Sequence, residues 1–197
     1  RELSSRDRAL LVDFDSAPHL LARPTRDLGA IASALEGLHA DGGTALWSAV
    51  VFGLDHLAGV SGRKALIVYS DGIGEEDPTP FRDCLAAARR RGVPIYLILS
   101  TTESARRARS LLSEPIGEKL DRLARATGGA AFFLTSDDDL DALYARILAE
   151  LRSQYLLTFY PPEGSPEAWQ DLEVEVLRPG LTARAYSGFL PRSPRSR

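Results

Sequence analysis

The chain has 197 residues, of which 44% are hydrophobic and 26% charged, as expected for one globular domain or one domain with an appendage. Its formal net charge of -3 gives no electrostatic reason to expect nucleic acid or an anionic membrane as a partner. No apolar run approaches the roughly 20 residues that cross a bilayer, so no membrane-spanning segment is expected in this chain. The single cysteine, Cys84, falls on an amphipathic pattern, which predicts a buried, unreactive thiol.

The sequence begins at Arg1 and contains no methionine. We therefore expect it to be part of a longer chain, whose upstream elements are not visible here.

Strand patterns alternate with helix patterns as far as residue 153. Short apolar runs rich in branched side chains predict buried strands, and apolar residues at intervals of three or four predict amphipathic helices. A weaker extended piece over 19–22 is expected to pair with the strand before it. The predicted strands cover 8–14, 65–69, 93–99 and 130–134, and the predicted helices cover 27–39, 44–58, 79–91, 116–127 and 139–153. This alternation predicts a three-layer, doubly wound, mostly parallel sheet of Rossmann-like type.

Capping signals accompany several of these helices. Thr79 before Pro80 predicts a helix start with the threonine as cap. The aspartates over 137–141 resemble a calcium loop in charge, but they lack its glycine and distal glutamate, so helix capping by Ser136 and Asp139 is the preferred interpretation.

The pattern changes after Ser153. Residues 154–160 predict a strand, and residues 172–176 and 181–186 predict a hairpin that turns at Pro179-Gly180. The domain division predicted is 1–153 for the α/β domain, 154–190 for an antiparallel β appendage, and 191–197 for a disordered tail.

Two loops carry candidate functional groups. Asp71 follows a buried strand directly, and binding groups collect at the carboxyl ends of strands in open α/β sheets. Gly42-Gly43-Thr44 opens a helix, and right-handed crossovers place its loop on the same rim as Asp71. The alternatives are structural: Asp71-Gly72 as an ordinary turn, and Thr44 as a helix cap.

The ordered set of motifs resembles a von Willebrand factor type A (VWA) domain over residues 1–153. The resemblance depends on the segments 13–16, 42–46 and 66–72, and the segments 154–161 and 181–189 resemble the ending of a bacterial VWFA-related subgroup. It implies a protein-binding, adhesion-type module that is not an enzyme. It also implies a metal-ion-dependent adhesion site (MIDAS), in which Thr44 supplies a hydroxyl and Asp71 a carboxylate to Mg²⁺. A carboxylate of the partner protein would take the open coordination position.

The chain departs from the family pattern at its start. It has no Asp-x-Ser-x-Ser motif, and no strand precedes Arg8. The resemblance thus implies that the first strand, its metal loop and the first helix are missing, either through N-terminal truncation, which we favour, or because another chain fills the gap. Mg²⁺ is then expected to bind weakly or not at all to this chain and to bind the complete protein.

Two other functions are compatible with parts of the pattern. One is a structural VWA-like module without metal, and the other is a phosphotransfer receiver-like enzyme domain. The second lacks a suitably placed lysine, because Ser100-Thr101-Thr102 follows the strand over 93–99, and no nucleotide-binding glycine motif or nucleophile elbow is present. The partner, the oligomeric state and the compartment stay open, although the subgroup resemblance points to a secreted or periplasmic location.

Overall fold

The computed structural model describes residues 3–38, 42–70, 77–100, 116–134, 139–159 and 169–191. The strands in these residues are β1 (Ala9–Phe14), β2 (Pro18–Thr25), β3 (Leu66–Ser70), β4 (Ile95–Ser100), β5 (Ala130–Leu134), β6 (Gln170–Asp171) and β7 (Gly188–Phe189). The helices are α1 (Leu28–Glu36), α2 (Leu46–Ala58), α3 (Phe81–Arg91), α4 (Ile116–Ala126) and α5 (Leu140–Arg152). The element types predicted through residue 153 are confirmed, with ends that differ by a few residues.

A parallel sheet in the order β3-β4-β5 forms the middle layer. Its central strand β4 is buried on both faces, since side chains alternate between them. Ile95, Leu97 and Leu99 pack with α2, α3 and α4, whereas Tyr96 and Ile98 pack with α5. This layering confirms the predicted doubly wound α/β architecture.

The hairpin of β1 and β2 forms a separate antiparallel sheet, as predicted for the first two extended segments. Its strand β1 packs against α2, which also packs against β3. Leu10 and Phe14 of β1 reach the same core cluster as Leu66 of β3. One helix therefore joins the two sheets, although no strand pairing between them occurs among the described residues.

Two glycines end α4 for different reasons. Gly128 has φ +71° and donates to the carbonyl of Arg125, and Gly129 donates to the carbonyl of Ala124. This pair of bonds is a Schellman motif, which needs a left-handed residue at the first glycine. Gly129 instead lies against the backbone of Ile95. The glycine pair predicted to end the helix thus also sets how close α4 comes to the sheet.

The region after α5 differs in detail from the predicted hairpin. Antiparallel pairing is present, but among the described residues it is limited to β6 with β7 and a bridge between Thr127 and Tyr186. The predicted hairpin strands over 172–176 and 181–186 are not formed as strands; the paired residues lie just outside them. Tyr155 and Leu156, predicted to lie in a strand, are 92% and 93% exposed. Side chains make the connections to the domain: Tyr186 donates to the Gly92 carbonyl at 2.8 Å. Backbone pairing and side-chain bonds thus both connect this region, and the predicted boundary at residue 153 stays a prediction.

No helix among the described residues is both long and apolar enough to cross a membrane.

Candidate functional site

The N-terminus of α2 lies at the rim where the parallel strands end. At the opposite end of α2, Lys64, which precedes β3, donates to the carbonyl of Leu57 at 3.2 Å. The helix therefore runs antiparallel to β3, as a crossover helix in a doubly wound sheet does. Ser70, the last residue of β3, is consequently on the same rim as the start of α2.

Thr44 lies on this rim, half-buried, one residue before the N-cap of α2. The turn after β1 holds its loop in place: the N–H of Ala45 donates to the carbonyl of Asp15 at 2.6 Å, and the N–H of Gly43 donates to Ser16 Oγ at 3.0 Å. The predicted position of Thr44 is thus observed. Asp71 lies outside the described residues, so the meeting of its carboxylate with Thr44 stays a prediction.

The cap of α2 comes from a distant part of the chain. The N-cap residue, Ala45, has no side-chain acceptor. The Asp77 carboxylate accepts instead from the N–H groups of Trp47 and Ser48, the second and third helical residues that an N-cap side chain normally serves. The alternative interpretation, in which the Thr44 side chain caps α2, is therefore not what the structure shows.

Asp77, Ser48 and Thr79 form a polar cluster at the start of α2. Ser48 Oγ donates to Asp77 Oδ1 at 2.6 Å and lies 2.8 Å from the Thr79 hydroxyl, while the Thr79 N–H donates to Asp77 Oδ1 at 2.9 Å. The negative charge is placed favourably near the positive end of the helix dipole. From the sequence alone, Asp77 belongs only to an acidic surface loop. The local signal was its position two residues before Thr79, which suits an Asx-type turn.

Thr79 does not cap α3, contrary to the sequence-based prediction. The N-cap residue of α3 is Pro80, and it makes no side-chain capping bond. The hydroxyl of Thr79 is directed to Ser48 because the cluster around Asp77 offers it a charged network. In α5 the capping differs from the predicted capping box, in which Ser136 is the cap and Asp139 its partner three residues later. Asp139 is itself the N-cap, and its carboxylate accepts from the N–H of Ala142 at 3.0 Å, while Ser136 lies outside the described residues.

An exposed carboxylate lies next to the Thr44 loop. The N–H of Ala17 donates to Asp15 Oδ1 at 2.9 Å, and this bond lowers the pKa of Asp15, with His19 contributing a smaller attraction. Asp15 is thus ionised at neutral pH. It supplies a negative charge to the rim on which Thr44 lies.

The described part of the chain does not assemble a complete metal cage. No group of three or more His, Cys, Asp or Glu residues that could hold an ion occurs within it. The Thr44 hydroxyl is a hard oxygen of the kind Mg²⁺ prefers, and Ser16 Oγ, the neighbouring hydroxyl, already accepts from the N–H of Gly43. The donor set on this rim therefore suits a hard cation only if carboxylates from outside the described residues complete it.

Cys84 lies under the Asp77 cluster and is fully buried, as predicted from the sequence. Burial, with the charge of Asp77 as a second cause, raises its pKa to about 12. A neutral, inaccessible thiol is a poor nucleophile.

We expect Cys84 to be unreactive towards a disulfide reagent at pH 8 in the native protein and to react fully after denaturation in guanidinium chloride. The thiol ionises at a lower pH in the unfolded chain than in the folded protein. The contribution of the buried neutral thiol to the free energy of unfolding should therefore be complete below about pH 9 and decline above it, by up to about 1.4 kcal/mol per pH unit until about pH 12. Chemical denaturation of the wild type and Cys84→Ala as a function of pH measures this. Equal pH slopes for the two proteins between pH 9 and 11 would contradict it.

The fold is similar to that of several solved structures. A conserved hypothetical protein, BatB from Bacteroides thetaiotaomicron, aligns with TM-score 0.59 and 16% identity, over 78% of this chain and 82% of that one. An aerotolerance-related membrane protein from Bacteroides fragilis aligns with TM-score 0.57 and 16% identity, over 76% of this chain and 81% of that one. The VWA domain of SpRpn10 aligns with TM-score 0.49 and 16% identity, over 75% and 73% of the two chains. No protein-family profile and no curated protein matches the sequence.

At 16% identity these similarities concern the fold alone. Together with the parallel sheet and its two helical layers, the similarities to BatB and to the aerotolerance-related protein confirm the predicted doubly wound α/β fold, which is the fold that the VWA resemblance implied.

Proposed function

We propose that this chain is part of a protein-binding module that uses a Mg²⁺ ion on the rim around Thr44. In the complete protein, Thr44 would supply a hydroxyl ligand and Asp71 a carboxylate ligand, directly or through water. The observation that carries the proposal is the position of Thr44 before α2, on the strand-end rim of a VWA-like fold.

The Asp77 cluster supports this role indirectly. Because the Asp77 carboxylate caps α2, the helix does not need the Thr44 hydroxyl for its first N–H groups. A threonine whose hydroxyl makes no capping bond can direct its oxygen towards a metal ion, and Mg²⁺ prefers such hard oxygens.

Bound Mg²⁺ would supply a positive charge with an exchangeable water position, at which a carboxylate of a partner protein could coordinate. The chain's own residues would orient the site. The two bonds from the loop before α2 to Asp15 and Ser16 fix the backbone on either side of Thr44. The proposed activity is therefore binding, without a catalytic step.

Isothermal titration with Mg²⁺ tests the proposal on two proteins: this chain, and a longer chain that includes the natural sequence upstream of Arg1. We expect binding to the longer chain and at least about tenfold weaker binding to the present one, because few ligands are available without the missing motif. Equal affinities for the two proteins would defeat the assignment.

Variants of the longer chain identify the ligands. Thr44→Ala and Asp71→Asn should each weaken Mg²⁺ binding at least about tenfold, while Thr44→Ser, which keeps the hydroxyl, should restore it. Asp83→Ala on α3 is the control for an exposed carboxylate elsewhere. If the longer chain binds no Mg²⁺, the structural module without metal is the better description.

A further inference from the structure

Residues 154–159 form an apolar segment without a hydrogen-bonding partner. They follow α5 and lie in no helix, strand or turn. In the part of the chain that the structure describes, no hydrogen bond involves any of these six residues. Tyr155 and Leu156 are almost fully exposed, Leu157 is 71% exposed and Phe159 is 50% exposed. The segment therefore presents apolar side chains in succession, together with unpaired backbone groups.

The composition of this segment favours pairing with another strand. It contains no charged residue, no glycine and no proline, and its aromatic residues and threonine have high strand propensity. Phe159 touches β7 through an edge-to-face contact with Phe189, with ring centroids 5.1 Å apart. Because β7 is only two residues long and already pairs with β6, it offers no edge on which six residues could pair.

The side chains of the segment alternate in a pattern that is the same in both directions. In an extended strand, Tyr155, Leu157 and Phe159 lie on one face. A two-fold axis through Leu157 relates this strand to an antiparallel second copy, so that Leu157 faces Leu157 and each Tyr155 faces Phe159. Apolar and aromatic pairs directly opposite one another are the contacts that stabilise paired strands. The order aromatic, leucine, aromatic is thus self-complementary.

The exposed apolar area suits a weak dimer. The exposed parts of the four apolar side chains amount to roughly 500 Å² per copy, and so to roughly 1,000 Å² for two copies. Stable specific interfaces begin at about 1,200 Å². A dimer held by this segment should therefore have a dissociation constant of about 10–500 μM.

The segment lies at the end of the sheet opposite the rim around Thr44. Arg63, which precedes β3, donates to the carbonyls of Leu151 and Arg152 at 3.4 and 3.1 Å. The end of α5 is therefore beside the start of β3, whereas the rim is where β3 ends. Pairing through 154–159 leaves the rim of each copy uncovered.

We propose that residues 154–159 are an interaction surface through which two copies of this chain pair as antiparallel strands about Leu157. The pairing needs neither Mg²⁺ nor the residues of the rim. The dimer carries one Thr44 rim on each copy. Where the rim binds a protein, which rests on the function proposed above, the dimer can hold two binding groups at once and so gain avidity.

Sedimentation equilibrium of the full chain in EDTA tests the pairing. The wild type should change from monomer to dimer between about 10 μM and 1 mM. Over the same range, amide exchange in 154–159 should slow at least about tenfold at the higher concentration, while exchange in 46–58 stays unchanged. Because the buffer contains no free Mg²⁺, the result does not depend on whether the metal site exists.

Two lysine variants locate the contact. Leu157→Lys places two like charges opposite each other at the two-fold axis and should weaken dimerisation at least about tenfold. Leu177→Lys is the matched control, because Leu177 is 88% exposed on another segment, and it should leave dimerisation within about twofold.

Cysteine cross-linking tests the register. The native Cys84 is buried and does not interfere. Leu157→Cys should form a disulfide-linked dimer under mild oxidation, because the two Cα atoms would be about 4.5–5.5 Å apart. In Leu156→Cys the two cysteines would be offset diagonally by roughly 8 Å, so cross-linking should be at least about tenfold slower.

Three outcomes would overturn the proposal. One is a wild-type chain that stays monomeric up to about 1 mM. Another is equal cross-linking of Leu156→Cys and Leu157→Cys, which would exclude the register about Leu157. The third is equal dimerisation of Leu157→Lys and Leu177→Lys, which would place the contact elsewhere on the chain.

Discussion

Gly129→Ala is expected to remove most of the folded protein. A Cβ at this position would overlap the van der Waals sphere of the Ile95 carbonyl oxygen and lie 2.6 Å from its carbonyl carbon. Both are backbone atoms of the central strand β4, so no side chain can rotate away to make room. We expect a loss of at least about 3 kcal/mol, a large part of the roughly 5–15 kcal/mol by which a domain is stable.

Guanidinium chloride denaturation followed by circular dichroism measures this loss. Gly59→Ala is the matched control, because a Cβ at Gly59 would have no atom within 4 Å and its φ of -87° suits alanine. We expect the control to be neutral or slightly stabilising. Equal denaturation midpoints for the two variants would show that β4 and β5 do not approach as closely as the structure indicates.

Asp77→Ala is expected to destabilise the protein by about 2–4 kcal/mol. The substitution removes the acceptor for the N–H groups of Trp47 and Ser48, for the Ser48 hydroxyl and for the Thr79 N–H. These groups are partly buried, so water replaces the carboxylate only in part. Because the same residues begin α2, the rim around Thr44 should also become more mobile, with faster amide exchange over 42–49.

Asp83→Ala provides the comparison for this variant. The carboxylate of Asp83 lies in the first turn of α3, is 56% exposed and forms an ion pair with the neighbouring Arg82, so its loss should cost less than about 0.5 kcal/mol. Asp77→Asn should fall between the two, since the amide oxygen can still accept but carries no charge. If Asp77→Ala and Asp83→Ala have the same unfolding free energy, the cluster does not hold the start of α2.

The part of the candidate site that could be predicted is the part formed by residues that are neighbours in the sequence. Thr44 follows a glycine pair and precedes an apolar helix, and those residues alone indicated a loop at the start of a crossover helix. The cap of that helix could not be predicted, because Asp77 is about thirty residues away and reaches Trp47 only after β3 has turned back along α2. A capping residue is normally sought next to the helix it caps.

The sequence after α5 was harder to interpret for a related reason. Residues 154–159 have the composition of a strand, but a strand is stable only when another edge is available to pair with it. In the structure Tyr155 and Leu156 are exposed instead, and the pairing in this region is made by β6 and β7. These two short strands lie just outside the predicted ranges 172–176 and 181–186, so composition indicated the region of antiparallel pairing but not the residues that pair.

By itself the sequence determined the alternation of strands and helices, the doubly covered strand β4 and the glycine pair that ends α4, because these depend on local periodicity and backbone freedom. Only the tertiary structure decided that Asp77 caps α2, that Gly129 meets the backbone of Ile95, and that β1 and β3 share a helix without pairing. These features arise from contacts between residues far apart in the chain. Their geometry is set by how the layers pack, which no local pattern encodes.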